Sequence, residues 1–175
     1  RHGAVIRNGV FDNKFHSWGC TRSGGDITID ATGGRRYGPG LKIAVPSDQG
    51  APYALQKVDV VGGAKYRLRS WVRGHNSDSS KSSTAMKMEF YNRAGQHLHG
   101  KYARMELTAG VGDEWQPFDF VLESPEGASR AEILLRVFGS GTVFFDDVEL
   151  EQLSAGQQAE LVVAPVSVVV GTPVR

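Results

Sequence analysis

The sequence is poor in the features that mark several large classes of protein. It has one cysteine, Cys20, among 175 residues, so no disulfide can form within the chain. No apolar run is long enough to cross a membrane, and no stretch resembles a signal peptide. The formal net charge is +1, so we expect neither nucleic acid nor a membrane as a partner. No long segment has the apolar periodicity of a helix.

The sequence contains instead many short runs in which apolar and polar residues alternate. Clusters of glycine, asparagine, aspartate, serine and proline separate these runs, and glycine alone accounts for 22 residues. This pattern predicts an all-β fold, a two-sheet β-sandwich of the jelly-roll type. The predicted strands cover residues 4–7, 26–31, 40–45, 53–61, 65–73, 85–91, 102–107, 115–122, 131–138 and 142–151.

The composition changes after Leu153, and this divides the chain into two parts. We predict that residues 1–153 form the sandwich. Residues 154–160 are small and polar, and residues 161–170 contain two apolar runs separated by a proline. We interpret residues 154–175 as a linker and the possible first strand of a neighbouring domain; the alternative is an extra strand in the sandwich's own sheet.

Two adjacent carboxylates interrupt the last apolar run, residues 144–150 (FFDDVEL). In a regular strand, Asp146 shares a face with the apolar residues Phe144 and Val148. A buried carboxylate is costly unless it is hydrogen-bonded, paired with a cation or bound to a metal. The sequence therefore predicts that a partner neutralises Asp146.

Five short segments, in order along the chain, carry a resemblance to a known group of proteins. They are Asn8 to Asp12 followed by Trp18, then residues 38–45 (GPGLKIAV), 58–72, 115–120 (WQPFDF) and 144–150. Over about residues 5–152 the chain resembles carbohydrate-binding modules of the family 4, 9 and 22 type, which are galactose-binding-like jelly rolls. The resemblance implies a non-catalytic module from a secreted glycoside hydrolase or polysaccharide lyase. Such a module brings a catalytic domain in the same chain to its polysaccharide.

The same resemblance implies a structural calcium ion between the first and last strands. Asp146 would be one carboxylate ligand and Asp12 a second, although these modules usually carry glutamate at the position of Asp12. Backbone carbonyl groups near residues 36–38 would complete the shell, since calcium takes six to eight oxygen ligands. Without calcium, Asp146 would depend on backbone N–H groups or on an arginine such as Arg7. With or without calcium, we expect Asp147, on the opposite face of the strand, to be solvated.

Strand alternation also separates core residues from those on the outer faces of the sheets. Aromatic rings stack on sugar C–H surfaces and charged groups bind hydroxyls, so aromatics flanked by charges indicate a sugar cleft. We predict one cleft that binds a polysaccharide or oligosaccharide, made by Trp71, Tyr91, Arg69, Arg73, Lys87, Glu89, Arg136 and His97. Tyr37 and Tyr53 lie on predicted loops that could line it. Trp18 and Trp115 match framework positions of the resembling modules, so we expect both in the core.

Two other functions remain open from the sequence. A jelly-roll polysaccharide lyase or hydrolase would need a Tyr–His–Arg or two-carboxylate arrangement in the cleft. Tyr91, His97 and Arg69 could form the first arrangement, but no motif specifies it. A structural or adhesion module would bind protein through the same face, because folds of this group serve both purposes.

Overall fold

Every regular element in the described part of the chain is a β-strand. The computed structural model describes residues 6–76, 83–105, 114–154 and 169–171. Among these residues there is no helix that could span a membrane. They contain eleven strands: β1 (Gly19–Thr21), β2 (Asp26–Asp30), β3 (Gly40–Val45), β4 (Tyr53–Asp59), β5 (Lys65–Asn76), β6 (Ser83–Asn92), β7 (His97–Met105), β8 (Gln116–Glu123), β9 (Ala128–Phe138), β10 (Gly141–Gln152) and β11 (Val169–Gly171).

The strands form two antiparallel sheets that pack face to face. The six-stranded sheet has the order β1–β4–β9–β6–β7–β11, and the five-stranded sheet has the order β2–β3–β10–β5–β8. This arrangement confirms the predicted all-β jelly roll. β5 and β6 follow each other in the chain but belong to different sheets.

The core lies between the sheets and contains the residues that alternation assigned to it. Alternate positions of β5, β6 and β9 point inward, because one face of each strand packs against the opposite sheet. The predicted core residues of these strands are fully or almost fully buried: Tyr66, Leu68, Ser70, Val72, Met86, Met88, Phe90, Ala131, Ile133, Leu135 and Val137.

The segment before β1 folds into a loop that contacts the last long strand. The Asn8 side-chain amide donates to the backbone oxygen of Lys14 (2.9 Å), and the indole N–H of Trp18 donates to the backbone oxygen of Asn8 (3.0 Å). Trp18 is buried, as predicted. The backbone N–H of Val148 donates to the carbonyl of Gly9 (2.9 Å). The first and last motifs of the sequence therefore meet in space.

A β-bulge in β10 changes the side on which its residues lie. Asp146 faces Trp71 on β5 and Glu149 faces Arg69, so three steps along β10 match two steps along β5. Asp147, inside this irregularity, has a left-handed backbone with φ of 50°. An extra residue of this kind reverses the alternation of every residue that follows it.

The bulge corrects the prediction that Asp146 shares the core face with Val148. Val148 faces the core, whereas Asp146 lies on the outer face of the five-stranded sheet and is 5% exposed. It is covered by the loop between β2 and β3: the backbone N–H of Arg35 donates to Asp146 Oδ2 (2.8 Å). The backbone N–H of Asp147 donates to Oδ1, also at 2.8 Å.

Other expectations differ from the structure at the edges of the strands. Trp115 precedes β8 and is only half-buried, outside the core, because its ring lies 5.4 Å from the Arg73 guanidinium on the outer face. β1 was not predicted, and Ile6 and Arg7 of the predicted strand 4–7 are not in a strand. The rest of that predicted strand lies outside the described residues.

The C-terminal part of the chain is described only at residues 169–171. They form β11 and pair with β7 at the edge of the six-stranded sheet. For these residues this is the alternative arrangement considered above, a strand added to the sandwich's own sheet. The division of the chain after residue 153 stays a prediction.

Candidate functional site

The predicted cleft residues lie on opposite sides of the sandwich, so the expectation of a single cleft is wrong. Alternation places them on outer faces, but β5 belongs to one sheet and β6, β7 and β9 to the other. The outer face of the five-stranded sheet carries Arg69, Trp71 and Arg73. The outer face of the six-stranded sheet carries Lys87, Glu89, Tyr91, His97 and Arg136.

We call the second of these surfaces the six-stranded face. It consists of rows of residues that lie opposite one another on neighbouring strands. One row runs Tyr53–Arg136–Ala85, and the next runs Leu55–Leu134–Lys87–Tyr102. A third runs Lys57–Glu132–Glu89–Gly100, and a fourth runs Asp59–Arg130–Tyr91–His97. Aromatic, charged and apolar side chains therefore lie next to one another on this face.

Two residues at the centre of the six-stranded face point outward and are nevertheless shielded from solvent. Leu134 points outward from β9, and Ala85 points outward from β6, yet they are 6% and 0% exposed. Neither belongs to the cluster of core residues between the sheets. Side chains on the same face must therefore cover them, as expected for the floor of a cleft.

Glu89 is held in a fixed position beside this floor. Lys87 Nζ lies 3.0 Å from Glu89 Oε1, and His97 Nε2 lies 2.8 Å from Glu89 Oε2. Burial raises the pKa of Glu89, but the hydrogen bonds and charges of His97 and Lys87 outweigh burial, so its pKa lies below the ordinary value. Gly100 leaves room for this carboxylate, because a Cβ there would lie 2.3 Å from Glu89 Oε2.

Tyr91 adds a ring and a hydroxyl to the same face. Its hydroxyl donates to Glu132 Oε2 (3.2 Å), and its ring meets the His97 ring edge-on, with 5.4 Å between centroids. Burial raises the pKa of Tyr91, as does the adjacent Glu132 carboxylate. The Arg130 guanidinium lies 5.3 Å from the centre of the Tyr91 ring. Arg130 and Glu132 were not among the site residues predicted from the sequence, although alternation places both on the outer face.

Tyr53 and Arg136 form a second aromatic–arginine pair on the six-stranded face. The Arg136 guanidinium lies 4.9 Å from the centre of the Tyr53 ring and 4.8 Å from that of Phe138. Its Nε donates to the backbone oxygen of Ala51 (3.2 Å). Burial lowers the pKa of Arg136. This guanidinium is therefore fixed in orientation before any ligand arrives.

The outer face of the five-stranded sheet is different, because two of its arginines already have carboxylate partners, whereas Arg73 contacts the Trp115 and Phe144 rings and the backbone oxygen of Gly33. Arg67 binds Asp119 through two nitrogens, and Arg69 binds Glu149, with 2.6 Å between Arg69 Nε and Glu149 Oε2. A hollow of about 390 Å³ lies among these residues.

Trp71 lies in the same hollow, covered by a charged side chain of the β2–β3 loop. The guanidinium of Arg35 stacks on the Trp71 ring at 3.9 Å, and its NH1 lies 3.2 Å from Asp147 Oδ2. The ring face is thus occupied from within the protein. Asp147 is ion-paired and mostly buried, not solvated as expected.

The surroundings of Asp146 bear on the predicted calcium site. Burial raises the pKa of this carboxyl group, and the neighbouring Asp147 raises it further, while the N–H donors of Arg35 and Asp147 lower it. The Asp12 side chain is exposed. No group of three His, Cys, Asp or Glu side chains in the described part of the chain could hold a metal ion. A calcium site here would take most of its ligands from backbone carbonyls, and it stays a prediction.

Comparison with known proteins adds evidence on the fold. No protein-family model and no curated protein matches the sequence. Solved structures do match. A family 61 carbohydrate-binding module, solved with β-1,4-galactotriose, has a TM-score of 0.58 at 15% identity, over 86% of this chain and 99% of that one. The chain has the jelly-roll fold of such modules.

Two larger proteins contain the same fold as one part. The enzymatically active domain of tailspike protein 4 from bacteriophage CBA120 matches with a TM-score of 0.66 at 19% identity over 86% of this chain. The N-terminal endo-1,4-β-D-xylanase 10B of Clostridium thermocellum, solved with xylohexaose as family 22 carbohydrate-binding and family 10 catalytic modules, matches with a TM-score of 0.65 at 17% identity over 88%. This chain spans 21% and 29% of those two chains.

Proposed function

We propose that this chain is a non-catalytic carbohydrate-binding module that binds a polysaccharide on its six-stranded face. The observation that carries the proposal is the outward-facing but shielded Leu134, flanked by the Tyr53 and Tyr91 rings and by the fixed Glu89 carboxylate. Rings of this kind stack on sugars, and fixed charged groups bind sugar hydroxyls. Each ring that buries about 100 Å² contributes roughly 2.5 kcal/mol, which suits micromolar to millimolar affinity.

Proteins in which this fold occurs support a wider role for the module. We infer a secreted parent protein in which this module brings a catalytic domain of the same chain to its polysaccharide. The xylanase supports this inference, since a carbohydrate-binding module accompanies a catalytic module there.

Affinity electrophoresis against neutral and acidic polysaccharides tests the proposal. We expect at least one polysaccharide to retard the protein, and Tyr53→Ala or Tyr91→Ala to reduce the retardation about tenfold or more. Tyr37→Ala is the matched control, because Tyr37 is 94% exposed on the β2–β3 loop, away from this face. Retardation by no polysaccharide would contradict the proposal and favour a protein-binding module.

A hydrolase is the second candidate, because two carboxylates face each other on the six-stranded face. Glu89 and Glu132 are direct neighbours in the β6–β9 register, as a two-carboxylate mechanism would require. A general acid needs a raised pKa, however, whereas the pKa of Glu89 is lowered by Lys87 and His97. Tyr91 and His97 cannot form the Tyr–His–Arg arrangement with Arg69, because Arg69 lies on the other sheet. New reducing ends or unsaturated products after long incubation with polysaccharide would support an enzyme.

A further inference from the structure

Arg136 is a half-buried cation whose guanidinium has no anionic partner among the residues that the structure describes. In the described part of the chain no carboxylate lies within ion-pair distance of it, and its one hydrogen bond uses Nε. The Tyr53 and Phe138 rings hold the guanidinium plane in place. Its two terminal nitrogens are the pair that would bind a carboxylate or sulfate in a fork.

Arg130 repeats this situation at the other end of β9. Its guanidinium lies over Tyr91, and its Nε is buried without a hydrogen-bond partner in the described part of the chain. Asp59 lies opposite it in the β4–β9 register, yet the two form no ion pair. Arg130 borders an open hollow of about 510 Å³, lined also by Lys57 and Asp59. A buried donor without a partner is costly, so this position favours an incoming acceptor.

Three arginines on the side of the five-stranded sheet show that this chain can supply such partners, although Arg73 on the same side has only aromatic rings and the Gly33 carbonyl. Arg67 has Asp119, Arg69 has Glu149 and Arg35 has Asp147. Arg136 and Arg130 differ from these three in having no carboxylate partner among the described residues. Their arrangement points to an anion that comes from outside the described chain.

We propose that the six-stranded face recognises a sugar chain with acidic groups, whose carboxylates or sulfates pair with Arg136 and Arg130. This inference rests on the proposed function of the same face. The two arginines are six residues apart on one side of β9, which is about 20 Å at 3.3 Å per residue. One extended chain can therefore contact both.

The residues between the two arginines restrict how the acidic groups can be spaced. Glu132 and Glu89 lie between them and would repel an anion placed there. Glu89 is neutralised by Lys87 and His97, but Glu132 has only a neutral tyrosine hydroxyl as its hydrogen-bond partner in the described chain. The preferred ligand is thus a largely neutral chain with widely spaced acidic groups, and not a polymer charged at every sugar.

A comparison of matched polysaccharides tests this without altering the protein. The first pair of probes is a xylan with sparse uronate groups and the same xylan after chemical reduction of its carboxyl groups. The second pair is a sulfated galactan and its desulfated form. Polygalacturonate is the fifth probe. We expect one acidic form to bind about tenfold or more tightly than its neutral counterpart, with a preference that shrinks as salt rises. The xylan pair and the galactan pair distinguish carboxylate from sulfate, and polygalacturonate should bind more weakly than the preferred chain.

Variants then test whether the two arginines cause the preference for acidic chains. Arg136→Gln and Arg130→Gln should each reduce the ratio of acidic to neutral affinity severalfold. Arg136→Lys should give an intermediate ratio. Arg69→Gln, on the other sheet, should leave the ratio unchanged. Equal binding of acidic and neutral forms by the unaltered protein would overturn this inference while supporting the proposed function. Binding of none of these chains would count against both.

Discussion

The guanidinium of Arg35 lies 3.9 Å from the centre of the Trp71 ring. Arg35 is itself held by Asp147 through its side chain and by Asp146 through its backbone N–H. The stack therefore fixes the β2–β3 loop against the five-stranded sheet. It predicts a structural role for Trp71 in place of the ligand-binding role expected from the sequence.

Replacing Trp71 should therefore affect stability and not sugar binding. We expect Trp71→Ala to lower the free energy of unfolding by about 1–3 kcal/mol, through the lost cation–π contact and lost apolar burial. Its polysaccharide affinity should stay within about twofold of the unaltered protein, since the six-stranded face is untouched. Urea denaturation and affinity electrophoresis measure the two quantities. A folded Trp71→Ala protein with strongly reduced binding would return the sugar site to the five-stranded sheet.

The lowered pKa of Glu89 predicts a dependence of stability on pH. The ionised carboxylate stabilises the fold above its ordinary pKa of 4.5, and this contribution is lost as pH falls through the lower folded value. We expect Glu89→Gln to cost about 1–3 kcal/mol at neutral pH, and the difference from the unaltered protein to shrink at about pH 3.

Urea denaturation at several pH values measures this difference. Glu123→Gln is the control, because Glu123 is an exposed residue at the end of β8 and should change stability little at any pH. If Glu89→Gln lowered the free energy of unfolding by the same amount at low pH, the charge of the Glu89 carboxylate would not be what stabilises the fold.

The sequence predicted which side chains are buried better than it predicted the site. Alternation with a period of two separates inward from outward residues, and the burial of Leu68, Met88 and Ile133 confirms it. The same alternation gives no information on which sheet a strand joins. Trp71 and Tyr91 are both outward, yet they lie on opposite sides of the sandwich because β5 and β6 belong to different sheets.

The position of Asp146 was mispredicted for a second physical reason. A bulge adds one residue, and alternation counted through it assigns one part of the strand to the wrong face. Asp147 adopts a left-handed backbone in this bulge, which aspartate tolerates better than most residues. The pair of adjacent aspartates is thus a local sign of the bulge as well as of a buried charge.

The contact between the N-terminal loop and β10 depends on the absence of a side chain at Gly9. A Cβ on Gly9 would lie 2.1 Å from the backbone oxygen of Val148, which cannot move without disturbing β10. We expect Gly9→Ala to destabilise the protein by about 1–3 kcal/mol or more. Gly38→Ala is the matched control, since nothing lies within 4 Å of the added methyl group and the backbone of Gly38 is not left-handed. Similar thermal unfolding of the two variants would show that the loop is not tightly packed on β10.

Calcium would add a second link between the N-terminal loop and β10, and chelation tests for it. If calcium binds at Asp146, a concentration about 100-fold above its Kd stabilises the fold by about 2.7 kcal/mol, which raises Tm by roughly 5–10 °C. We expect EDTA to remove this increment without changing which sugar binds, because the six-stranded face lies on the other side of the sandwich.

Two aspartate variants separate a specific site from general ionic effects. Asp146→Asn should abolish the difference in Tm between calcium and EDTA, because a neutral amide is a poor substitute for the one buried carboxylate ligand. Asp119→Asn, which removes a carboxylate from the same outer face, should lower stability but keep that difference. Identical melting of the unaltered protein in calcium and EDTA would mean that the N–H donors of Arg35 and Asp147 are sufficient partners for Asp146. The calcium prediction would then be wrong, and the buried carboxylate would serve to fix the β2–β3 loop over the bulge.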